Sequence, residues 1–492
     1  MFKLVLALVI LAFAIRMLFI FQGSVSFHYD MARDAFEARQ IWKEGNLKIV
    51  GPPTTTEGLF SGVLYYYFLA IPYGLSGGDP RVAAIFMSLV NSLAIIPIFF
   101  LAKDLFKSNK WAIIASFFYA VSFEAVQYGP WLSNPSPAIF TVACFFYSLR
   151  RWQKRLKWGL PLTVLFASLS AQMEFFLIFL FVVILAFKLI FKIKVTVKQY
   201  FLSALLILLI MSTFLISAIK FNSLASTVSG FLSIPQGSDI TFRIKFTESL
   251  FIYLNRLSDL FINNFFPVNV FLGGSLTFAT VFILIKNYSL RNKFILFCLF
   301  CNLPIFFFGG QNATYTMVGM VVPAILAVCV LVQKYPYLIV LILLANLYMI
   351  FMISPKGQVL LVIPKDMILQ KQLALIDKTY QLSGGQPFSI NSLTLPLWTN
   401  TTWAYLYSWY GKNKYGYVPS YLGHDQVGLL GADSLPRVEK PLDKTFFIIE
   451  PHEGIPDDRF QLEIGSENSK TDLINEIKYG ELKLQIRQPK TL

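Results

Sequence analysis

The hydrophobic positions of this chain fall into long apolar runs that stop near residue 353. A transmembrane helix needs about 20 mostly apolar residues, and by that rule the pattern predicts eleven spans. Their predicted bounds are 4–21, 82–102, 111–127, 135–149, 159–173, 175–191, 200–219, 268–285, 294–308, 314–332 and 336–353. The first run has no small-x-small cleavage site and is interpreted as an uncleaved anchor. Residues 1–353 are therefore expected to form an all-α, polytopic membrane domain.

Beyond residue 353 the apolar runs become short and alternate with polar segments. This pattern predicts helices at 364–382 and 401–411 and strands at 388–394, 445–450, 459–464 and 482–488. Residues 354–492 are thus expected to be a separate soluble domain of the α/β or α+β class. A Trp- and Tyr-rich stretch at 398–421 fits an aromatic core, a sugar-stacking surface or a contact with lipid headgroups.

Composition excludes an ordinary soluble enzyme. Hydrophobic residues make up 56% of the chain and charged residues only 14%, whereas soluble proteins average about 25% charged residues. The net charge of +15 belongs entirely to the membrane part, because the 15 basic and 15 acidic residues of the C-terminal part cancel. Most basic residues of the membrane part, 16 of 27, cluster in short loops between apolar runs, which is typical of a topology signal. A nucleic-acid partner is therefore not expected.

The short loops also predict the orientation of the chain. Cations are concentrated in alternate loops, which the positive-inside rule assigns to the cytoplasm. They are Lys103, Lys107, Lys110, Arg150, Arg151, Lys154, Arg155, Lys157, Lys188, Lys192, Lys194, Lys198, Lys286, Arg291, Lys293 and Lys334. The N-terminus is then cytoplasmic, the C-terminal domain is extracytoplasmic, and the protein is expected in the plasma membrane. Two long segments, 22–81 and 220–267, lie on the outer side, as do all acidic residues of the membrane domain except Asp104.

The first outer segment contains the most informative sequence, "SFHYDMARDAFEARQIWKEGNLKIVGP". Asp30 stands at a predicted helix start, and Asp34 lies one turn later on the same face. A carboxylate there can act as general base toward an acceptor hydroxyl, and the nearby Arg33 can pair with a phosphate. The alternative interpretation is a juxtamembrane surface helix with an Asp cap and solvated charges.

These residues resemble the GT-C glycosyltransferases, in particular the protein O-mannosyltransferases and the lipid A aminoarabinose transferases. In that family an apolar first span is followed by Asp-Glu and, shortly after, Arg. Asp30 and Arg33 match this pattern, whereas Met31 replaces the Glu. The resemblance leaves open whether Asp34 or Glu57 takes the role of the second carboxylate.

Further motifs extend the resemblance over roughly residues 1–190. The stretch "SGVLYYYFLAIPYGL", which contains Tyr66, resembles the family's Pro-Pro-Leu-x-Tyr segment, with Gly62 and Val63 in place of the prolines. "YGPWLSNPSPAIF" offers Asn134 where the family often has Asp. "ASLSAQMEFF" resembles the next outer turn and contains Glu174.

The resemblance implies a glycosyltransferase that moves a sugar, a mannose-like hexose or a pentose, from a polyprenyl- or dolichyl-phosphate carrier. The acceptor is a protein, lipid or glycan outside the membrane, and the transfer inverts the anomeric carbon with Asp30 as base. Arg33, Arg243, Lys245 and Arg256 are candidates for binding the lipid phosphate, and Tyr66, Asn134 and Glu174 for binding the substrate. No cofactor is indicated, although relatives that transfer oligosaccharides use a divalent cation.

Two other classes of protein fit parts of the sequence. A transporter or flippase of lipid-linked sugars predicts paired charges at the bilayer midplane and matched halves with discontinuous helices, and neither is evident. A non-catalytic scaffold with a partner-binding outer domain leaves the acidic first segment unexplained.

Overall fold

The computed structural model describes residues 2–53, 60–220, 242–309, 314–361 and 364–490. Before residue 354 the described part is almost entirely helical. Its helices are α1 (Phe2–Phe21), α2 (Tyr29–Glu44), α3 (Leu64–Ser76), α4 (Pro80–Leu93), α5 (Ile95–Phe106), α6 (Asn109–Val121), α7 (Phe123–Tyr128), α8 (Pro135–Gln153), α9 (Gly159–Met173), α10 (Leu180–Ile190), α11 (Val197–Lys220), α12 (Phe242–Phe265), α13 (Val270–Lys286), α14 (Leu290–Phe300), α15 (Leu303–Gly309), α16 (Val321–Lys334) and α17 (Tyr337–Ile353).

Four helices of the described part are long and apolar enough to cross a bilayer, judged by length and composition. They are Phe2–Phe21, Pro80–Phe106, Val197–Ser217 and Tyr337–Lys356, and a bent helix pair counted as one span makes five. The chain is therefore a multi-pass membrane protein. Three other apolar helices, Gly159–Met173, Phe175–Ile190 and Val321–Lys334, are shorter, so the count of eleven spans stays a prediction.

Several predicted spans are interrupted in the structure, and the interruptions have local causes. The helix over residues 80–106 breaks at Ala94, because Pro97 lacks an N–H and its ring crowds the carbonyl of Leu93. The predicted span 111–127 breaks at Ser122, whose backbone is extended and whose Oγ accepts a hydrogen bond from Ala125 N at 3.2 Å. This second break places Glu124 in the first turn of the short helix α7.

The segment 220–267, which the sequence analysis treats as a long outer loop, is helical over α12. The pair Thr247–Phe265 and Val270–Lys286 bends by 111° at a short break that contains Pro267. The two helices pack closely there, since a Cβ added to Gly273 would lie 2.5 Å from Cγ1 of Ile262. The bend brings the end of α12 against α7.

The C-terminal domain is built around a five-stranded mixed sheet. Its strands are β1 (Ser389–Leu393), β2 (Ser420–Tyr421), β3 (Thr445–Ile449), β4 (Thr471–Tyr479) and β5 (Leu482–Pro489), in the order β2-β1-β3-β5-β4. The pairs β1–β2 and β1–β3 are parallel, whereas β3–β5 and β4–β5 are antiparallel. Its helices are α18 (Leu369–Ser383), α19 (Thr401–Leu406), α20 (Lys412–Tyr415) and α21 (Asp457–Lys470).

One predicted strand of this domain is wrong. Residues 459–464 lie inside α21, where Phe460 and Ile464 pack together against Leu393, Phe447 and Ile449. Phe460 and Ile464 are four residues apart, a spacing that places both side chains on one face of a helix as well as on one face of a strand. Asp457 and Asp458 in the first turn favour the helix, because acidic residues stabilise a helix N-terminus.

The C-terminal domain is joined to the membrane domain through the backbone between α1 and α2. Ser26 and Ile368 form an isolated antiparallel bridge, with Phe27 N donating to Met367 O and Leu369 N to Val25 O, both at 2.9 Å. The buried side chain of Gln372 adds a hydrogen bond from Nε2 to Phe27 O at 2.8 Å. These bonds hold the backbone of residues 25–27, directly before the start of α2.

The aromatic stretch of the C-terminal domain forms part of this junction and of the domain core. The ring of Tyr405 packs against those of Phe27, Phe36 and Tyr73, at centroid distances of 5.6, 5.1 and 6.3 Å. Its hydroxyl donates to Gly78 O at 2.7 Å. Of the three interpretations of this stretch, the structure favours a structural aromatic cluster.

Glu450 is a buried carboxyl at the end of β3. It accepts hydrogen bonds from Leu395 N at 2.9 Å and from Trp403 Nε1 at 3.0 Å. Burial raises the pKa of Glu450 to about 7, against the opposing effect of these two donors. The folded state therefore binds this proton more tightly than the unfolded chain does.

We expect Glu450→Gln to reduce the pH dependence of stability. Because the pKa of the carboxyl is higher in the folded state, its contribution to the free energy of unfolding falls as pH rises from about 4.5 to about 7. Thermal unfolding midpoints of the detergent-purified protein at about pH 5 and about pH 7.5 measure this effect. Glu453→Gln, at an exposed position, is the control. If Glu450→Gln showed the same pH dependence of stability as the wild type, Glu450 would not be the group with the raised pKa in the folded state.

Candidate active site

The first cluster of the candidate site lies on the first two turns of α2. Arg33 Nη1 contacts Asp30 Oδ1 at 2.6 Å, and Arg33 Nη2 and Nε contact Asp34 Oδ1 at 2.8 and 2.9 Å. The helix begins after His28 without a side-chain cap, so the Asp cap of the alternative interpretation is not formed, and Asp30 lies in the first turn. The predicted proximity of Asp30, Arg33 and Asp34 is observed.

The two carboxylates of this cluster differ in their surroundings. The side chain of Asp30 is 56% exposed and that of Asp34 only 3%, with Arg33 between them at 13%. Burial raises the pKa of Asp34 to about 7 even though Arg33 opposes the shift. Burial lowers the pKa of Arg33, but the two carboxylates outweigh it and hold that pKa above its usual value. Of the pair, Asp30 is the solvent-accessible carboxylate.

Tyr66, on α3, closes one side of the cluster. Its buried side chain lies close enough to Arg33 for the two to interact electrostatically, so α2 and α3 meet at the charged residues. The hydroxyls of Tyr65 and Tyr73 are buried on the same helix and have no hydrogen-bond partner among the described residues. The predicted substrate-binding residue Tyr66 therefore lies beside Arg33.

Asn134 and Glu174 form a second cluster. Asn134 Nδ2 donates to Glu174 Oε2 at 2.6 Å and lies 3.4 Å from Ser61 Oγ. Two residues before Glu174, Gln172 Oε1 lies 3.5 Å from Leu64 N. The segment 61–66 thus joins the two clusters, because one end contacts Asn134 and the other, through Tyr66, contacts Arg33.

Arg256 lies in a third cluster, on α12. It pairs with Asp259 at 3.7 Å and lines a small cavity together with Glu124 and Tyr128. Asn264 Nδ2 donates to Glu124 Oε2 at 2.6 Å. Asn264 was not identified from the sequence, because it lies 140 residues from Glu124 in an apolar segment that offers no motif.

Three of the predicted site residues cannot be placed. Glu57 lies outside the described residues, and so do the side chains of Arg243 and Lys245. Within the described part, no group of three His, Cys, Asp or Glu side chains could hold a metal ion.

Two solved structures of one enzyme share this architecture. ArnT from Cupriavidus metallidurans, a GT-C lipid A aminoarabinose transferase, matches over 97% of both chains in its apo state, with a TM-score of 0.57 and 10% identity. Its structure bound to undecaprenyl phosphate matches over the same shares, with a TM-score of 0.57 and 11% identity. The apo oligosaccharyltransferase of Archaeoglobus fulgidus covers 81% of this chain and 63% of its own, at 15% identity and a TM-score of 0.48.

No family model and no curated protein matches the chain. The likeness to ArnT at about a tenth identity shows the fold, and it confirms the GT-C fold that the sequence resemblance implies.

We expect Gly62→Ala to destabilise the connection between the two clusters. A Cβ at Gly62 would lie 2.3 Å from both the backbone oxygen and Oε1 of Gln172, and overpacking of this kind costs about 1–3 kcal/mol. Thermal unfolding in detergent measures the loss. Gly465→Ala is the control, since nothing lies within 4 Å of a Cβ there and alanine favours the helix. Equal midpoints for Gly62→Ala and the wild type would exclude the tight contact.

Proposed function

We propose that this protein is a membrane glycosyltransferase that uses a sugar linked to a polyprenyl-phosphate carrier. The observation that carries the proposal is the exposed Asp30 carboxylate, held by Arg33 beside the buried Asp34 at the start of the helix that follows the first span. The GT-C fold supports it, and ArnT has been solved with undecaprenyl phosphate bound.

In the proposed reaction Asp30 is the general base. The hydroxyl oxygen of the acceptor forms a bond to the anomeric carbon of the donor, and the hydroxyl proton passes to the Asp30 carboxylate. The bond from the anomeric carbon to the phosphate oxygen breaks, and the lipid phosphate leaves with the bonding electron pair. Attack opposite the leaving group inverts the anomeric configuration.

Asp34 acts as a positioning residue in this proposal. It is too buried to meet an acceptor, but its ion pair with Arg33 fixes the guanidinium that holds Asp30. Glu57 remains the alternative second carboxylate.

The departing phosphate requires cations other than Arg33 alone. When Asp30 and Asp34 are both ionised, the first cluster has a net charge of −1, which disfavours a phosphate. Arg256 lies 3.7 Å from Asp259 and is the described candidate for additional charge, and we propose Arg243 and Lys245 as further candidates. Cations near a leaving phosphate stabilise the charge that develops in the transition state.

Asn134, Glu174 and Tyr66 are proposed to bind the donor sugar. The carboxylate of Glu174 and the amide of Asn134 can accept and donate hydrogen bonds to sugar hydroxyls. The two carboxylates of the first cluster already contact Arg33, so no divalent cation is assigned to them. A mannose-like hexose and a pentose are both proposed donor sugars, and a protein, lipid or glycan on the outer side is the proposed acceptor.

We expect Asp30→Asn to lower the rate of sugar transfer by about 10²–10⁴-fold, the usual contribution of a general base. The assay follows labelled sugar from polyprenyl-phosphate donors in membranes that contain equal amounts of each variant. Asp458→Asn, at an exposed position on α21, is the control and should retain full activity. Full activity in Asp30→Asn would assign the base to another carboxylate. Absence of transfer by the wild type over a broad donor panel would favour the transporter alternative.

The transfer rate is also expected to fall as pH drops through about 7. Asp34 then takes up a proton, because burial raises its pKa to about 7, and its ion pair with Arg33 is lost. Profiles of log kcat/KM against pH should show this acidic limb in the wild type. In Asp34→Asn the limb should disappear and the plateau should be lower, since Arg33 is no longer held by a charge. Persistence of the same limb in Asp34→Asn would assign it to another group.

A further inference from the structure

A basic groove lies between the α8–α9 turn and the α10–α11 turn, on the face that the positive-inside rule assigns to the cytoplasm. Four cations line it, Arg155, Lys157, Lys194 and Lys198, together with Trp152 and Trp158. It encloses about 870 Å³, including the solvent at its mouth.

The charge of this basic groove is not compensated. All four cations are exposed, its lining contains no Asp or Glu, and none of the four belongs to an ion pair of the described residues. The neighbouring cavity on the same face differs, because it contains Asp104, which pairs with Lys107, Lys154 and Arg150. Four unpaired cations around one cavity favour a ligand with negative charge.

The two turns that form the groove pack closely and contact each other. Its floor is the buried Trp152, and a Cβ at Gly159 would lie 2.5 Å from the Cα of Trp152, so the turn packs tightly on that residue. The two turns are joined by a hydrogen bond from Gln199 Nε2 to Lys157 O at 3.1 Å. The rim residue Trp158 is 55% exposed, as expected for a tryptophan at the level of lipid headgroups.

The surroundings of the groove favour a lipid over a soluble anion. The groove also contacts Leu202 near the beginning of α11, and only 6% of an 18-residue apolar stretch of the helix Val197–Ser217 is buried. Leu205, Leu208 and Leu209 continue along it with exposures of 42%, 64% and 64%. A molecule with a phosphate in the groove can therefore lay acyl chains along α11.

We propose that the basic groove binds the phosphate headgroup of an anionic membrane lipid. Cations between transmembrane helices bind such headgroups through charge-assisted hydrogen bonds, and each Lys or Arg adds to the attraction. This proposal is independent of the sugar-transfer chemistry, because none of its residues belongs to the candidate active site.

The test titrates lipid into the full-length, detergent-purified protein and counts bound molecules by native mass spectrometry. We expect phosphatidylglycerol to bind and phosphatidylcholine to bind much more weakly. The double variant Lys194→Gln/Lys198→Gln should bind phosphatidylglycerol about tenfold less tightly. Lys286→Gln/Lys334→Gln removes two exposed cations outside the groove and should bind as the wild type does. Arg155→Gln serves as a second variant, and thermal midpoints confirm that each protein is folded.

Three results would overturn the proposal. If both double variants lost the same amount of phosphatidylglycerol affinity, the binding would be due to general surface charge and not to the groove. If phosphatidylglycerol and phosphatidylcholine bound equally well, the negative charge of the lipid would not be what the groove recognises. Tight, competitive binding of glycerol 3-phosphate, which has the phosphate but no acyl chains, would identify a soluble phosphate as the ligand.

Discussion

The short extended segment between α1 and α2 is the constraint on which the arrangement of this protein depends. Its backbone polar groups need partners, since an unpaired buried N–H or C=O destabilises the fold. The C-terminal domain supplies them, through Met367, Ile368 and the side chain of Gln372. One set of hydrogen bonds thus joins α1, the helix of the candidate active site and the C-terminal domain, so the C-terminal domain takes part in positioning Asp30.

The chemistry of the first cluster follows from a difference in burial between its two aspartates. Asp30 and Asp34 are four positions apart on one helix, but α3 covers only Asp34. Desolvation disfavours the charge of the covered carboxylate, and Arg33 lies between the two and offsets part of that effect. The accessible carboxylate keeps a fixed partner on one oxygen, which orients it toward solvent. The two aspartates are therefore suited to different roles, Asp30 to proton transfer and Asp34 to positioning.

Features of the fold and the site could be predicted from the sequence where the interacting residues are close together along the chain. Helices α1, α11 and α17 were predictable because their apolar runs are continuous, and Asp30, Arg33 and Asp34 were predictable because they lie within one helical turn of each other. Residues 459–464 were misassigned because an alternating pattern of three apolar residues also contains the four-residue spacing of a helix. The contact of Asn264 with Glu124 joins segments 140 residues apart, and although Pro267 marks the break in the chain, it does not indicate which segment Asn264 contacts.

The position of α1 itself depends on a charge inside the membrane domain. Arg16 is fully buried, and its guanidinium donates to Asn91 Oδ1 at 2.7 Å and to Ala12 O at 2.9 Å, while it lies 5.2 Å from the centre of the Tyr119 ring. No carboxylate pairs with it among the described residues, so neutral oxygens and a ring face stabilise its charge. The planar guanidinium can reach α1, α4 and α6 together, which a lysine ammonium on a flexible stem does less well. Because only a short extended segment separates α2 from α1, this buried cation contributes to the placement of Asp30 from the side of the helical bundle, as the C-terminal domain does from the opposite side.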